Sequence, residues 1–257
     1  MTFIDTHAHY DDKAFDKDRD EVFRKIREAG CEALINCACD RKSIRTTLAL
    51  AKQQPFVYAA LGYHPENLKG LEYDDIDVLF DRADGNEKVV AIGEIGLDYH
   101  WNASPKQVQQ EWFIEQIELA KEMELPIIVH SRDAAEDTLT ILEDYDASYC
   151  GGVLHAYSGS LEMAKRYLEL GFYIGLGGFT TFDNAKKLAA AIPEIPLDRI
   201  LTETDCPYLA PVPHRGERTD SSNIPYVIRR IAELKGLDPE EVAAQTAANA
   251  RALFAIK

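Results

Sequence analysis

Eight short apolar runs alternate with amphipathic stretches along the 257 residues, and few folds accept that rhythm. The runs are Phe3–Asp5, Ala33–Asn36, Val57–Tyr63, Val89–Ile95, Ile127–His130, Gly152–His155, Tyr173–Leu176 and Arg199–Thr202. Between them, Asp16–Ala29 places Val22, Phe23 and Ile26 at helical spacing. Ser43–Gln53, Ile76–Ala83, Val108–Met123, Asp133–Asp144, Leu161–Leu170 and Asn184–Ala191 behave likewise. Asp40 and Ser160 sit where helix N-caps belong, and Gly30 and Gly171 where helices stop. Strands alternating with helices satisfy two architectures, a doubly wound open sheet and a closed (β/α)8 TIM barrel. The strand count and the chain length favour the barrel. Ile224–Leu234 and Pro239–Phe254 supply a last crossover helix and a C-terminal helix. No Pro/Ser/Gly-rich linker divides the chain, so residues 1–257 read as one domain.

Composition narrows the function classes. With 46% hydrophobic and 28% charged residues, the chain resembles an ordinary soluble globular protein. No apolar run approaches the roughly 18 residues of a membrane span. A strand and two histidines follow the first residue almost at once, which predicts no signal peptide. The five cysteines contain no C-x-x-C pair and read as reduced thiols, so a cytoplasmic location is expected. The net charge, 28 − 44 = −16, argues against a long basic groove for nucleic acid. It leaves room for a small site that grips one end of a strand through metal ions.

In a barrel the C-terminal strand ends converge on one mouth. The first run leads into His7 and His9, whose i, i+2 spacing aims two imidazoles at one point if the strand continues. The third ends in Gly62-Tyr63-His64-Pro65, the fourth in Glu94 and Asp98, the fifth in His130-Ser131-Arg132, the sixth in His155, and the eighth in Glu203-Thr204-Asp205. Five of the seven histidines thus fall at strand ends. A metal site at the mouth requires this; satisfied polar residues lining a cleft do not. His7, His9, Glu94, His130, His155 and Asp205 are too many ligands for one zinc, but they fit two divalent ions if one carboxylate bridges. Glu94 is the natural bridge, with His7, His9 and Asp205 on the first ion and His130 and His155 on the second.

The motifs Asp5-Thr-His-Ala-His9, Gly62-Tyr-His-Pro65, Ile92-Gly-Glu-Ile-Gly-Leu-Asp-Tyr99, His130-Ser-Arg-Asp-Ala134, Leu154-His-Ala-Tyr-Ser-Gly159 and Leu201-Thr-Glu-Thr-Asp-Cys-Pro-Tyr208 resemble those of the TatD family of metal-dependent deoxyribonucleases, in the amidohydrolase superfamily. The resemblance covers nearly the whole chain. It implies a TIM barrel, a divalent-metal centre carried by the same six residues, and hydrolysis of DNA phosphodiesters, often from the 3′ end. Three motifs depart from the family pattern. Glu66 stands where many relatives have a further His, Ala156-Tyr157 where many have Cys-Phe, and the loop after Arg218 reads Thr-Asp-Ser-Ser-Asn. None removes a ligand, so the departures bear on substrate preference.

Other residues carry two readings each. His64 can donate to a phosphate or fix the loop before Pro65. Glu203 is expected to orient a ligand histidine from behind. Arg132 can clamp a phosphate or pair with Asp133 or Glu136. Arg215, in the basic loop His214–Arg218, can bind phosphate or lie in a solvated loop. Among Tyr99, Trp101, Tyr157, Phe179, Phe182 and Tyr208, one or two can stack a nucleobase while most pack. Cys37 and Cys39 share a strand face and are expected to fill the barrel interior, and no base is placed to make Cys206 a nucleophile.

The expected chemistry is metal-assisted hydrolysis in which Asp205 accepts a proton from the attacking water. Imidazole-rich ligation favours Zn²⁺, Mn²⁺ or Fe²⁺ over Mg²⁺, whereas the resemblance implies activity that Mg²⁺ or Mn²⁺ supports. The expected partner is DNA, as single-stranded or frayed ends. Two rival readings are an esterase or amidohydrolase acting on a small molecule or aminoacyl-tRNA, and a non-catalytic nucleic-acid-binding protein. Glu94, where many amidohydrolases bridge their metals with a modified lysine, weakens the former; an intact ligand set weakens the latter.

Overall fold

The computed structural model describes residues 1–101 and 103–256. Eight parallel strands follow one another around a single sheet: β1 (Phe3–Ala8), β2 (Cys31–Cys37), β3 (Val57–Leu61), β4 (Val89–Asp98), β5 (Ile127–Arg132), β6 (Gly152–Leu154), β7 (Tyr173–Leu176) and β8 (Ile200–Thr202). The barrel closes where Ala8 bridges Cys206. There the amide of His9 donates to the Cys206 carbonyl at 2.9 Å, and that of Asp205 to the His7 carbonyl at 2.9 Å. The fold is therefore the TIM barrel that the strand rhythm predicted.

Helices α1 (Arg19–Glu28), α2 (Arg41–Gln53), α3 (Asp74–Ala83), α4 (Lys106–Glu122), α5 (Ala135–Asp144), α6 (Leu161–Glu169), α7 (Lys186–Ala191) and α8 (Ile224–Lys235) return the chain, and α9 (Pro239–Phe254) follows. Alternation along each strand sorts the core into two layers. Phe3, Leu34 and Leu61 face the helices, whereas Ile4, Ile35, Ala60, Ile128 and Leu201 belong to a separate buried cluster inside the barrel. Phe254 and Ala250 of α9 join that inner cluster. Asn249 donates to the carbonyls of Leu197 and Ile200, seating α9 where β8 begins.

The predicted caps are in place. Asp40 makes a capping box with Ser43, and the Ser160 hydroxyl accepts from the Met163 amide. Element edges moved for local reasons. The expected helix from Asp16 starts at Arg19, because Asp12 caps a separate 3-10 turn at Lys13–Phe15. The helix expected from Asp133 begins at Ala135, since Asp133 adopts φ +53°. β1 and β4 run further than their apolar runs suggested, bringing His7 and Asp98 within the strands. No helix of the described residues is long and apolar enough to cross a membrane.

Candidate metal centre

His7 ends its strand fully buried, and the chain beyond Ala8 carries His9 to the same point. Their Nε2 atoms lie 3.1 Å apart. Asp205 arrives from beyond β8 in a left-handed conformation, φ +58°, which turns its carboxylate back over the mouth. Its Oδ1 lies 3.3 Å from His9 Nε2 and 3.7 Å from His7 Nε2. Glu94 Oε2 completes the group at 3.3 Å from His7 and 3.7 Å from His9. Two imidazole nitrogens and two carboxylate oxygens thus converge from three strand ends.

The other oxygen of Glu94 faces a different set. Oε1 lies 3.0 Å from His130 Nδ1, 3.1 Å from His155 Nε2 and 3.5 Å from His64 Nε2. Gly96 lets β4 and β5 approach here; at φ +137°, any Cβ would collide with the His130 carbonyl. The six residues expected as ligands are therefore brought together, and Glu94 stands between two histidine groups.

Outer partners fix the rings. His9 Nδ1 donates to the Cys37 carbonyl at 2.9 Å, which leaves a lone pair on the Nε2 of the neutral ring, facing the site. His130 Nε2 donates to Asp98 Oδ2 at 3.0 Å, which turns Nδ1 toward Glu94. Asp98 was placed by its strand end but given no role; its i+4 spacing from Glu94 in a run rich in glycine was the only signal. His155 Nδ1 stands 3.4 Å from Glu203 Oε1, outside hydrogen-bond geometry, and Glu203 lies behind the ring as expected. Glu203 itself accepts from the Ala156 amide at 2.5 Å.

Electrostatics keep the acids ionised. Burial opposes the charge of Glu94, yet the surrounding His64, His155 and His7 hold it well below the usual carboxylate range. Asp205 is also lowered, its burial outweighed by the bond to His9 and the neighbouring rings. Asp98 falls to about 2 against the pull of burial, chiefly through its bond to His130. His7 is pushed down by burial and by His155, which favours a neutral ring with a free lone pair. His155 is raised well above its ordinary value: burial opposes its charge, but Glu94 and Glu203 prevail. Ionised carboxylates among buried imidazoles are donors that suit a divalent cation, and three groups of them each lie within 4.8 Å of one another.

The remaining expectations sort clearly. His64 fixes the loop, its Nδ1 accepting from the Glu66 amide at 3.2 Å, while its Nε2 points at Glu94. Arg132 does not pair with Asp133 or Glu136; its guanidinium lies 5.4 Å from the Trp101 ring centroid. Arg215 lies over Phe182 at 4.4 Å, while its neighbour Arg218 is tied to Asp18. Cys37 is buried at the strand end, but Cys39 lies past it and lines a cleft beside His9, not the barrel interior. The strand simply ends two residues too early to carry Cys39 inward.

A closed β/α barrel with such a cluster at the C-terminal ends of its strands is the architecture of a metal-dependent hydrolase. The sequence model of the TatD related DNase family matches residues 4–255, and the chain belongs to that family. An uncharacterized metal-dependent hydrolase of Bacillus subtilis, YabD, is 44% identical over 253 residues, spanning 98% of this chain and 99% of its own. The 3′-5′ ssDNA/RNA exonuclease TatD of Salmonella typhimurium is 34% identical over 247 residues, 94% of this chain and 95% of its own. The crystal structure of YJJV, a TatD homologue from Escherichia coli K12, superposes with a TM-score of 0.94 at 34% identity, covering 99% and 98% of the two chains.

Proposed function

We propose that this metal-dependent hydrolase cleaves phosphodiester bonds of DNA from single-stranded 3′ ends, using two divalent ions bridged by Glu94. The observation that carries the two-ion reading is the division of Glu94, with Oε2 toward His7 and His9 and Oε1 toward His130 and His155. His7, His9 and Asp205 would hold one ion, and His130 and His155 the other. Imidazole-rich sites suit Zn²⁺ or Mn²⁺, and the working ion can equally be Mg²⁺. When bound, the ions supply Lewis acidity toward water and neutralise charge on the phosphate.

The chain's own groups do the rest. Asp205 is ionised, faces the open mouth and takes the proton of the attacking water at its carboxylate. His64 carries its proton on Nε2, because Nδ1 accepts from Glu66, so it donates toward a phosphate oxygen. Arg132 has no carboxylate partner among the described residues and supplies planar donors for the same group. Arg215 serves strand further from the bond. The nucleic-acid assignment is supported by the 34% identity to the Salmonella exonuclease. The single-stranded preference follows from a net charge of −16, which gives no broad surface for tracking duplex. The test is to incubate metal-loaded protein with end-labelled single-stranded DNA, duplex DNA, closed circular duplex and RNA. A ladder shortening from the 3′ end of single strands is expected; rapid cutting of closed circles, or no cutting of any strand, contradicts the proposal.

A further inference from the structure

Six aromatic residues follow strand ends, and burial separates them. Tyr157 is buried, Phe179 and Phe182 are half-buried, and Tyr99 is half-buried with its hydroxyl bonded to Asp137. Only Trp101, 60% exposed, and Tyr208, 58% exposed, present most of their surface to solvent. Trp101 follows β4 and Tyr208 follows β8, half a turn apart around an eight-stranded closed barrel. Both strand ends open on the mouth that holds the histidine and carboxylate cluster.

The backbone of each residue is tied to the cluster. Asp98 accepts from the His100 and Trp101 amides at 2.9 and 3.0 Å through Oδ1 and from His130 through Oδ2. The loop carrying Trp101 and the ring of His130 thus hang on one carboxylate. Across the mouth, the Tyr208 amide donates to the Asp205 carbonyl at 3.0 Å. Trp101 also has a cation nearby that lacks a carboxylate partner among the described residues, Arg132, while Tyr208 shares a ≈ 370 Å³ cleft with His9, with Lys13 and Lys42, and with Asp11, Asp12 and Asp40. In a chain of net charge −16, an unpaired cation beside the exposed Trp101 ring suits a base attached to a phosphate.

We infer that Trp101 and Tyr208 are two nucleobase platforms straddling the scissile phosphate, one for the leaving nucleotide and one for the retained strand. This rests on the nuclease reading and names the subsites of that same centre. A phosphate at the cluster leaves its two flanking sugars on opposite sides of the mouth, and a stacking ring awaits a base on each.

The experiment uses short single strands of DNA in three forms: fully based, abasic at the leaving nucleotide, and abasic at the next one. Trp101→Ala and Tyr208→Ala should each raise KM about tenfold on the fully based strand, the size of one lost base–aromatic stack. Each should leave KM unchanged on one abasic form, and the two forms should be different for the two variants. Aromatic replacements Trp101→Phe and Tyr208→Phe should recover most of the loss. Binding is also read without turnover. Trp112, the other tryptophan, is 8% exposed, so oligothymidylate added to the full chain in EDTA should quench the emission of Trp101. Unmoved KM in both variants, loss on the same abasic form, or unquenched emission overturns the platforms while strand cleavage leaves the nuclease reading standing. A wild-type protein that cuts no strand overturns the nuclease reading itself, and the platforms with it.

Discussion

On the β1–β8 side of the centre, His9 is fixed by a backbone carbonyl, and Asp205 is held by a left-handed turn and a backbone bond to His7. On the β4–β6 side, the outer nitrogen of each histidine faces a carboxylate, Asp98 behind His130 and Glu203 behind His155. A carboxylate behind an imidazole makes it a more basic ligand; a carbonyl orients it with less charge. The β4–β6 half therefore carries the imidazoles with the more charged backing. The β1–β8 half carries Asp205, the acid most open to solvent in the cluster, with 20% of its side chain exposed, and the proton acceptor under the proposed function.

The largest effect should come from removing that proton acceptor. Asp205→Asn keeps the size and a coordinating oxygen but cannot take a proton, so turnover on a short single strand should fall at least roughly 10²-fold. Circular dichroism should match the parent, and metal content should stay close to it. Near-parental turnover at full metal loading would remove Asp205 from the role of base and erase the contrast between the halves.

His155→Ala tests the other side. It should lower metal content by about one ion per chain by elemental analysis, against about two for the parent, and excess metal should restore part of the activity. A parent stoichiometry that never exceeds about one would end the two-ion division.

Asp98→Asn acts one step further out. The amide cannot back His130 with charge, so affinity for the β4–β6 ion should weaken by roughly 10- to 100-fold, read by competition with a chelating dye. An equal loss on both ions would mean that Asp98 supports the mouth as a whole.

The smallest effect is expected from Gly175→Ala. A Cβ there would collide with Glu203 Oε2 and push the carboxylate away from His155. Metal affinity should weaken within about tenfold without loss of any ligand. A partial rescue by Glu203→Asp in the same chain, one methylene shorter, would show that the collision, and not strand geometry, causes the loss.

Much of this centre was legible in advance. The barrel followed from apolar runs at strand spacing, and the convergence of six polar residues from the histidines and acids at their ends, because strand periodicity and barrel convergence are local rules with a global result. Cys39 was misplaced because strand ends are set by pairing partners: β2 stops at Cys37, where its ladder with β3 ends. Arg132 reads from sequence as a phosphate clamp or a partner of Asp133 or Glu136, and it takes neither carboxylate, since β4 and β5 pair through Asp98 and Arg132 and bring the Trp101 loop beside it.

The sequence by itself determined the strand count, the helix caps and the six residues at the mouth, all of which depend on spacing along one chain. Only the tertiary structure decided that Glu94 divides its oxygens between two histidine groups, that Asp98 joins His130 to the Trp101 loop, and that Trp101 and Tyr208 stay exposed where the other aromatics beyond the strand ends are covered. These are relations between atoms on different strands. Their distances are set by barrel closure and the rotation of each side chain, and no spacing within a single segment encodes them.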